Sequence, residues 1–204
     1  MKVLFIGDIV GSPGRDMIKK YLPKLKAKYQ PTVTIVNGEN AAGGKGITEK
    51  IAKQLFEVGA QVITLGNHTW DQKDTGDFLE QATNVIRPAN FPEGAPGRGY
   101  TILNVNQHKI AVINLQGRTF LPAIDCPFRK ADELIDLVKK ETPIIFVGGL
   151  LRQQALVGCL DMGMGTYHRG HSSVQVPSHR FLFTCGLSMK IYENNGCFFF
   201  NQIN

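Results

Sequence analysis

Short apolar runs alternate with longer amphipathic segments along the first 147 residues of the chain. The short runs have the length of buried strands, whereas the longer segments repeat apolar residues at helical spacing. Strands are predicted at 2–8, 32–38, 61–66, 100–106, 108–116 and 143–149, and helices at 11–29, 48–59, 75–83 and 131–141. This alternation, with short connections, predicts an α/β fold in which sheets and helices form layers.

Individual residues set the expected helix boundaries. Thr48 is predicted to cap the second helix and Gly59 to end it, because a hydroxyl suits the first position and glycine the last. Pro23 falls inside the first helix and is expected to kink or interrupt it. The stretch 85–101 is rich in glycine and proline, and it is expected to form an ordered loop.

The texture of the sequence changes after about residue 147. Residues 142–204 contain only two acids, Asp161 and Glu193, and they show no helical periodicity. No elements are therefore predicted there beyond the strand at 143–149. We expect a single domain over 1–204, with a regular part at 1–147 and a divergent part at 148–204.

Three predicted strands end at a glycine that is followed by a side chain able to bind a metal. VLFIGD leads to Asp8, VTIVNGEN to Glu39 and Asn40, and VITLGNH to Asn67 and His68. The carboxyl ends of parallel strands meet at one edge of a sheet, where functional groups collect. Carboxylates and amides with an imidazole suit Mn²⁺, Fe, Mg²⁺ or Zn²⁺. The pattern therefore predicts a metal site at this edge.

Each of these residues also has a structural interpretation. Asp8 could cap the following helix, and Glu39 could be a turn carboxylate. The two asparagines are common turn residues, and His68 alone would more often be structural. The three glycines that precede the polar residues are expected to let the backbone turn sharply and a substrate approach: Gly7, Gly38 and Gly66.

The charge and composition of the chain favour some classes of partner and exclude others. The formal net charge is +6 and the pI about 9.2, which is compatible with anionic partners such as nucleotides or RNA. The densest basic patch, 19–29, is interpreted as the solvated face of a helix. No apolar run approaches the ~20 residues that cross a bilayer, so no membrane association is expected. The four cysteines lack metal-binding spacing, which is typical of free thiols in a cytoplasmic protein.

Five blocks within residues 1–147 resemble the YmdB-type bacterial metallophosphoesterases, which belong to the calcineurin-like family. The blocks stand in the family's order: GDIVGSPGR, NGENAAGGKGIT, GNHTWD, RPANFPEG and INLQGRTFLPAIDCPF. The resemblance implies a sandwich of two mixed sheets flanked by helices, with an incomplete C-terminal part. It also implies hydrolysis of 2′,3′-cyclic nucleotides or similar small phosphodiesters; RNA and a homo-oligomer are further partners to test.

The resemblance also implies roles for the polar residues at the strand ends. Asp8, Glu39, Asn40 and Asn67 match metal-ligand positions of a dinuclear centre, in which iron or manganese is favoured and magnesium or zinc is compatible. His68 matches the catalytic histidine, which protonates the leaving oxygen. A metal-bound hydroxide would then be the nucleophile, so that no protein nucleophile is needed.

The divergent part departs from the family pattern. The family's D-F-H-A-E segment is absent after PIIFV, and no histidine lies between His108 and His168. Alignment on HSSVQ places His171 at one of two late metal histidines and Ser173 at the other. His168 is a candidate replacement, because a spacing of three from His171 would suit one helical turn. A frameshifted reading of 148–170, followed by truncation, would explain the altered texture.

These departures leave two alternatives to the hydrolase. The chain could be a catalytically impaired relative that binds a nucleotide or RNA and acts as a regulator. It could also be a damaged gene product that folds poorly and exposes the apolar run CFFFNQIN.

Overall fold

The structure is a computed structural model that describes residues 1–118, 121–150 and five later strands. Its helices are α1 (Gly11–Tyr29), α2 (Glu49–Glu57), α3 (Thr75–Gln81) and α4 (Pro127–Val138). Its first seven strands are β1 (Val3–Ile6), β2 (Val33–Asn37), β3 (Val62–Thr64), β4 (Val85–Ile86), β5 (Tyr100–Val105), β6 (His108–Gln116) and β7 (Ile144–Leu150). The later strands are β8 (Gly165–Arg169), β9 (Ser172–Val176), β10 (Arg180–Cys185), β11 (Ile191–Tyr192) and β12 (Cys197–Phe198).

The chain forms two compact units. The first contains Met1–Arg87, Pro96–Arg98 and Leu187–Asn204, and the second contains Pro88–Ala95 and Gly99–Gly186. Each unit has its own mixed β-sheet, so the expected α/β fold with two mixed sheets is confirmed. No helix within the described residues is both long and apolar enough to cross a membrane.

The sheet of the first unit has the strand order β11-β12-β1-β2-β3-β4. Strands β1 to β4 are parallel to one another, as are β12 and β1, whereas β11 is antiparallel to β12. Leu4, Val36 and Ile63 from these strands pack in one fully buried cluster with side chains of α1 and α2. Because the three central strands are parallel neighbours, their carboxyl ends lie side by side.

Helix α1 runs through Pro23 without a break, so an interruption is wrong, whereas a kink at Pro23 stays a prediction. The apolar residues Ile18 and Leu22 on the preceding turn are buried in the core, and this burial compensates for the single backbone hydrogen bond that proline cannot donate. The helix ends at Gln30, whose left-handed backbone (φ 48°) lets its N–H donate to the carbonyl of Lys26 at 2.8 Å.

The predicted boundaries of α2 are confirmed. The hydroxyl of Thr48 accepts a hydrogen bond from the backbone N–H of Ile51 at 3.3 Å, and Gly59 adopts a φ of 109° just after the helix. Helix α4 begins four residues before its predicted start, because Pro127 occupies its first turn, where the missing N–H has no intrahelical partner to lose.

The sheet of the second unit has the strand order β10-β7-β6-β5. Strands β5 and β6 form the predicted antiparallel hairpin, and β7 is parallel to both β6 and β10. Helix α4 packs Ala131, Leu134 and Val138 against this sheet. The buried Asn90 donates to the carbonyls of Gln116 (2.8 Å) and Asp125 (2.9 Å), and it thereby joins the segment after β4 to the segment after β6.

Strands β8 and β9 form an antiparallel hairpin in which His168 is paired with Ser173. The proposal that His168 lies on a helical turn is therefore wrong, because it belongs to a strand. His171, a predicted metal ligand, and most of the segment 148–170, for which a frameshift is predicted, lie outside the described residues.

Candidate metal centre

The carboxyl ends of β1, β2 and β3 bring the predicted polar residues to one edge of the first unit's sheet. Asp8 follows β1, Glu39 and Asn40 follow β2, and the turn with Asn67 and His68 follows β3. This placement results from the parallel pairing of the three strands, in which Phe5 is opposite Ile35 and Ile35 is opposite Val62. The sequence pattern therefore located a real convergence of polar side chains.

Asp8 and Asn40 are joined directly. The side-chain amide of Asn40 donates to Oδ1 of Asp8 at 2.7 Å, while Oδ1 of Asn40 is buried and has no hydrogen-bond partner among the described residues. Asp8 also has a positive φ of 30°, a strained conformation that is common at functional sites. The pair therefore presents one oriented carboxylate and one amide oxygen that is available to a ligand.

Glu39 is the most unusual group at this edge. Glu39 is only 1% exposed, and its Oε2 has no hydrogen-bond partner within the described part of the chain. Burial, followed by the charge of Asp8, raises the pKa of Glu39 from its ordinary 4.5 to about 7, whereas His68 and the backbone amides of His68 and Asn67 act to lower it. A buried carboxylate oxygen without a partner is costly, and a bound cation would compensate for that cost.

Gly66 makes room for the Glu39 carboxylate. A Cβ at residue 66 would lie 1.9 Å from Oε2 of Glu39, far inside van der Waals contact. Tight turns begin at Gly38 and Gly66, as expected, since their carbonyls accept hydrogen bonds from the N–H groups of Ala41 at 3.1 Å and Thr69 at 3.2 Å. These turns do not need the left-handed backbone conformation, because none of the three glycines before the polar residues has a positive φ. Gly38 instead fits against Ile63 and Ile47, and the nearest neighbour of a Cβ at Gly7 is 4.0 Å away.

Gly66→Ala is expected to displace the Glu39 carboxylate and weaken Mn²⁺ binding by at least about tenfold, since disturbing the groups that orient a ligand typically costs that much. Overpacking should also destabilise the fold by about 1–3 kcal/mol. Isothermal titration calorimetry with Mn²⁺ measures the first effect and a thermal melt the second. Gly7→Ala is the matched control, and equal Mn²⁺ affinity in both variants would contradict this prediction.

His68 is held by an acidic residue that sequence reasoning did not identify. Nδ1 of His68 and Oδ2 of Asp71 lie 2.6 Å apart, and both side chains remain partly exposed. The turn between them is closed by the bond from the N–H of Asp71 to the carbonyl of His68, at 3.2 Å. A hydrogen bond at Nδ1 fixes the orientation of the ring and leaves Nε2 available to a ligand. The three-residue spacing in GNHTWD was the available signal.

The glycine-rich loop that follows Asn40 is fastened to the same turn. The side-chain amide of Gln72 donates to the carbonyl of Lys45 at 2.6 Å, and Gly46 lies so close that a Cβ there would be 3.1 Å from the carbonyl of His68. The loop that carries Asn40 and the turn that carries His68 are therefore held in a fixed relation.

The donors that the structure brings together are mainly oxygens. No group of three or more histidine, cysteine, aspartate or glutamate side chains in the described residues could by itself hold a metal ion. Asp8, Glu39 and Asn40 nevertheless offer two carboxylates and a free amide oxygen, which suit hard cations such as Mn²⁺, Mg²⁺ or iron. The geometry thus fits part of a metal centre, and further ligands would have to complete it.

A family model described as "YmdB-like protein" matches residues 4–179 of the chain. The chain belongs to the YmdB-like family. It is 54% identical over 184 residues to the 2',3'-cyclic-nucleotide 2'-phosphodiesterase of Bacillus subtilis (strain 168), and this match covers 90% of the chain and 68% of the relative. The resemblance inferred from the five sequence blocks is confirmed.

Two solved structures are similar to this YmdB-like chain. A hypothetical protein from Thermus thermophilus has a TM-score of 0.68 at 37% identity, covering 74% of this chain and 57% of that one. A novel phosphatase from Mycoplasma pneumoniae has a TM-score of 0.65 at 36% identity, covering 73% of this chain and 55% of that one. The chain therefore spans little more than half the length of these two proteins.

Proposed function

We propose that this protein is a cytoplasmic, metal-dependent phosphodiesterase that hydrolyses 2′,3′-cyclic nucleotides or similar small phosphodiesters. The observation that carries this proposal is the buried Glu39 carboxylate, whose Oε2 has no partner among the described residues, beside the joined pair of Asp8 and Asn40. A buried anion of this kind is expected where a cation binds. The Bacillus subtilis relative is a 2',3'-cyclic-nucleotide 2'-phosphodiesterase, which supports the choice of substrate.

The proposed cofactor is a pair of divalent ions, with iron or manganese favoured and magnesium or zinc compatible. Asp8, Glu39, Asn40 and Asn67 would hold them, and His171 is proposed as a further ligand from outside the described residues. When bound, two ions would neutralise phosphate charge and activate a water molecule for attack. Glu39 must be ionised to take part, so its raised pKa means that metal ions and protons compete for this carboxylate.

The residues around the metal centre would control the proton balance of hydrolysis. An oxygen from water would form a bond to phosphorus while that water releases one proton to the solvent, and the bond from phosphorus to one ribose oxygen would break. His68 would give a proton to that ribose oxygen, which is a poor leaving group unless it is protonated. Asp71 would keep the imidazole ring in the orientation that this transfer needs.

The alternative function is a catalytically impaired relative that binds a nucleotide or RNA without turnover. The specific observation in its favour is that the described residues supply two carboxylates but no histidine–carboxylate group sufficient for a metal. Ser173, which aligns with one of the family's late histidines, points the same way.

Metal-stripped protein loaded with Mn²⁺ separates these functions. Elemental analysis should find about two ions per chain, and 2′,3′-cyclic AMP should be hydrolysed only by the loaded sample. Asp8→Asn should lower the metal content, and the exposed Asp16→Asn should not. Nucleotide binding without turnover would favour the alternative, and a chain that retains no metal would overturn the hydrolase. Size-exclusion chromatography of the same sample tests the predicted homo-oligomer.

A further inference from the structure

One exposed face of α1 has a stripe of positive charge. Met17, Lys20, Tyr21, Lys24 and Lys28 recur at three- and four-residue intervals, so they lie along one side of the helix. All five are exposed, including 55% of Met17 and 39% of Tyr21. We call these residues the basic stripe. The apolar residues of α1 that face the core, such as Ile18 and Leu22, lie on a different side.

The charge of the basic stripe is not neutralised by neighbouring acids. Helices α2 and α4 each have at least one ion pair on their surface: Lys53 pairs with Glu49 in α2, Lys130 pairs with Glu133 in α4, and Lys139, directly after α4, pairs with Asp136. No ion pair among the described residues involves α1, which has six basic residues and one acid. Helix α1 therefore combines the largest excess of basic over acidic residues among the four helices with no ion pair in the described part of the chain.

Tyr21 concentrates this charge. The ammonium groups of Lys20 and Lys24 lie 5.2 and 5.7 Å from the centroid of its ring, within the range of cation–π attraction. The ring therefore gathers two cations on an exposed surface that also offers an aromatic group. Basic side chains interleaved with an aromatic ring are typical of surfaces that bind single-stranded nucleic acid.

The basic stripe leads away from the candidate metal centre. The N–H of Gly11, the first residue of α1, donates to the carbonyl of Asn40 at 2.9 Å, and Arg15 donates to the carbonyl of Ala41. The 19-residue helix then extends about 28 Å from that point. A polyanion whose end lies at the metal centre could therefore continue along the stripe.

We propose that the basic stripe binds the backbone of single-stranded RNA, and that the substrates include oligoribonucleotides that end in a 2′,3′-cyclic phosphate. The second part rests on the proposed function. Phosphates recur along an RNA strand and complement a row of lysines that form no ion pair among the described residues. An anionic membrane is the weaker match, because a helix that binds lipid needs an exposed apolar face, and the apolar face of α1 is buried in the core.

The test compares two triple variants of the full chain with the same change in charge. Lys20→Gln/Lys24→Gln/Lys28→Gln removes the stripe, and Lys53→Gln/Lys139→Gln/Lys140→Gln is the matched control. Fluorescence anisotropy with a labelled single-stranded decaribonucleotide measures affinity over a range of salt concentrations, without metal. The stripe variant should bind at least about tenfold more weakly, and its salt dependence should fall by about 2 in log–log slope, because each lost phosphate contact contributes about 0.7. The control variant should match the wild type.

Steady-state kinetics then test the substrate. The stripe variant should keep the wild-type kcat/KM for 2′,3′-cyclic AMP and lose about tenfold in kcat/KM for a decaribonucleotide with a cyclic phosphate end. Three results would overturn the inference. The stripe variant could bind RNA as tightly as the wild type, or the control variant could lose as much RNA affinity as the stripe variant. The wild type could also bind phosphatidylserine vesicles but not RNA. Stripe-dependent RNA binding without hydrolysis of either substrate would support the surface and reject the proposed function.

Discussion

Glu39→Gln is expected to stabilise the metal-free protein at pH 8 and to abolish the proposed binding of Mn²⁺. One effect is a gain in stability and the other is a loss of metal binding, and both result from removal of the buried carboxylate. In the folded chain the pKa of Glu39 is about 7 rather than 4.5, so folding favours the protonated form. The stability that this provides is complete below pH 4.5 and is lost as the pH rises through 7. Glutamine is neutral at every pH and avoids the loss.

The rise in the pKa of Glu39 from 4.5 to about 7 lowers the free energy of unfolding of the wild type by at most about 3 kcal/mol at pH 8. For a chain of this size the melting temperature of Glu39→Gln should therefore rise by several degrees at pH 8, roughly 2–4 °C for each kcal/mol. At pH 4.5 the variant and the wild type should melt at nearly the same temperature. Thermal melts of metal-stripped samples at the two pH values measure both expectations.

Addition of Mn²⁺ should make the wild type more stable than Glu39→Gln, which is the reverse of the order expected without metal. Wild-type protein should melt at a higher temperature when Mn²⁺ is added, because a ligand that binds only the folded state stabilises it, whereas Glu39→Gln should not respond. The exposed Glu57→Gln is the matched control and should behave as the wild type in every condition. A Glu39→Gln variant that is less stable than wild type at pH 8 without metal would show that the carboxylate is satisfied within the fold, contrary to the argument for a cation site.

The position of the polar residues at the edge of the sheet could be predicted from the sequence, because it depends only on which residues follow each strand along the chain. An apolar run of strand length followed by a polar residue fixes where Asp8, Glu39 and His68 occur, and parallel pairing brings such ends together. The cap at Thr48 was equally local. These features need no knowledge of which distant side chains meet.

What the sequence did not reveal depends on contacts between distant segments. Gly66 matters because Glu39 fills the space beside it, which no pattern around residue 66 indicates. Strand β10 pairs with β7, with Arg180 opposite Ile144, across a segment that has no periodicity of its own. Pro23 remains within α1 because burial of the adjacent turn outweighs its helix-breaking tendency.

His68→Gln is expected to reduce hydrolysis of 2′,3′-cyclic AMP by about 10²- to 10⁴-fold, the usual contribution of a general acid. The loss should be much smaller for bis(4-nitrophenyl) phosphate, because 4-nitrophenolate leaves without being protonated. Metal content should not change, since His68 is proposed to act on the substrate oxygen. Steady-state kcat with the two substrates, together with elemental analysis, provides the measurement. His108→Gln, which removes an exposed histidine from the second unit, is the matched control.

Asp71→Asn should also lose more activity with 2′,3′-cyclic AMP than with bis(4-nitrophenyl) phosphate, but the loss should be smaller than in His68→Gln. The substitution removes the charge that orients the His68 ring and retains the shape of the side chain. If His68→Gln instead lost activity equally with both substrates, His68 would act in binding or in holding the metal ions, and the general acid would have to be another group. The leaving-group comparison therefore distinguishes proton transfer from every role in which His68 only supports the site, and the Asp71 variant shows whether the 2.6 Å contact serves that transfer.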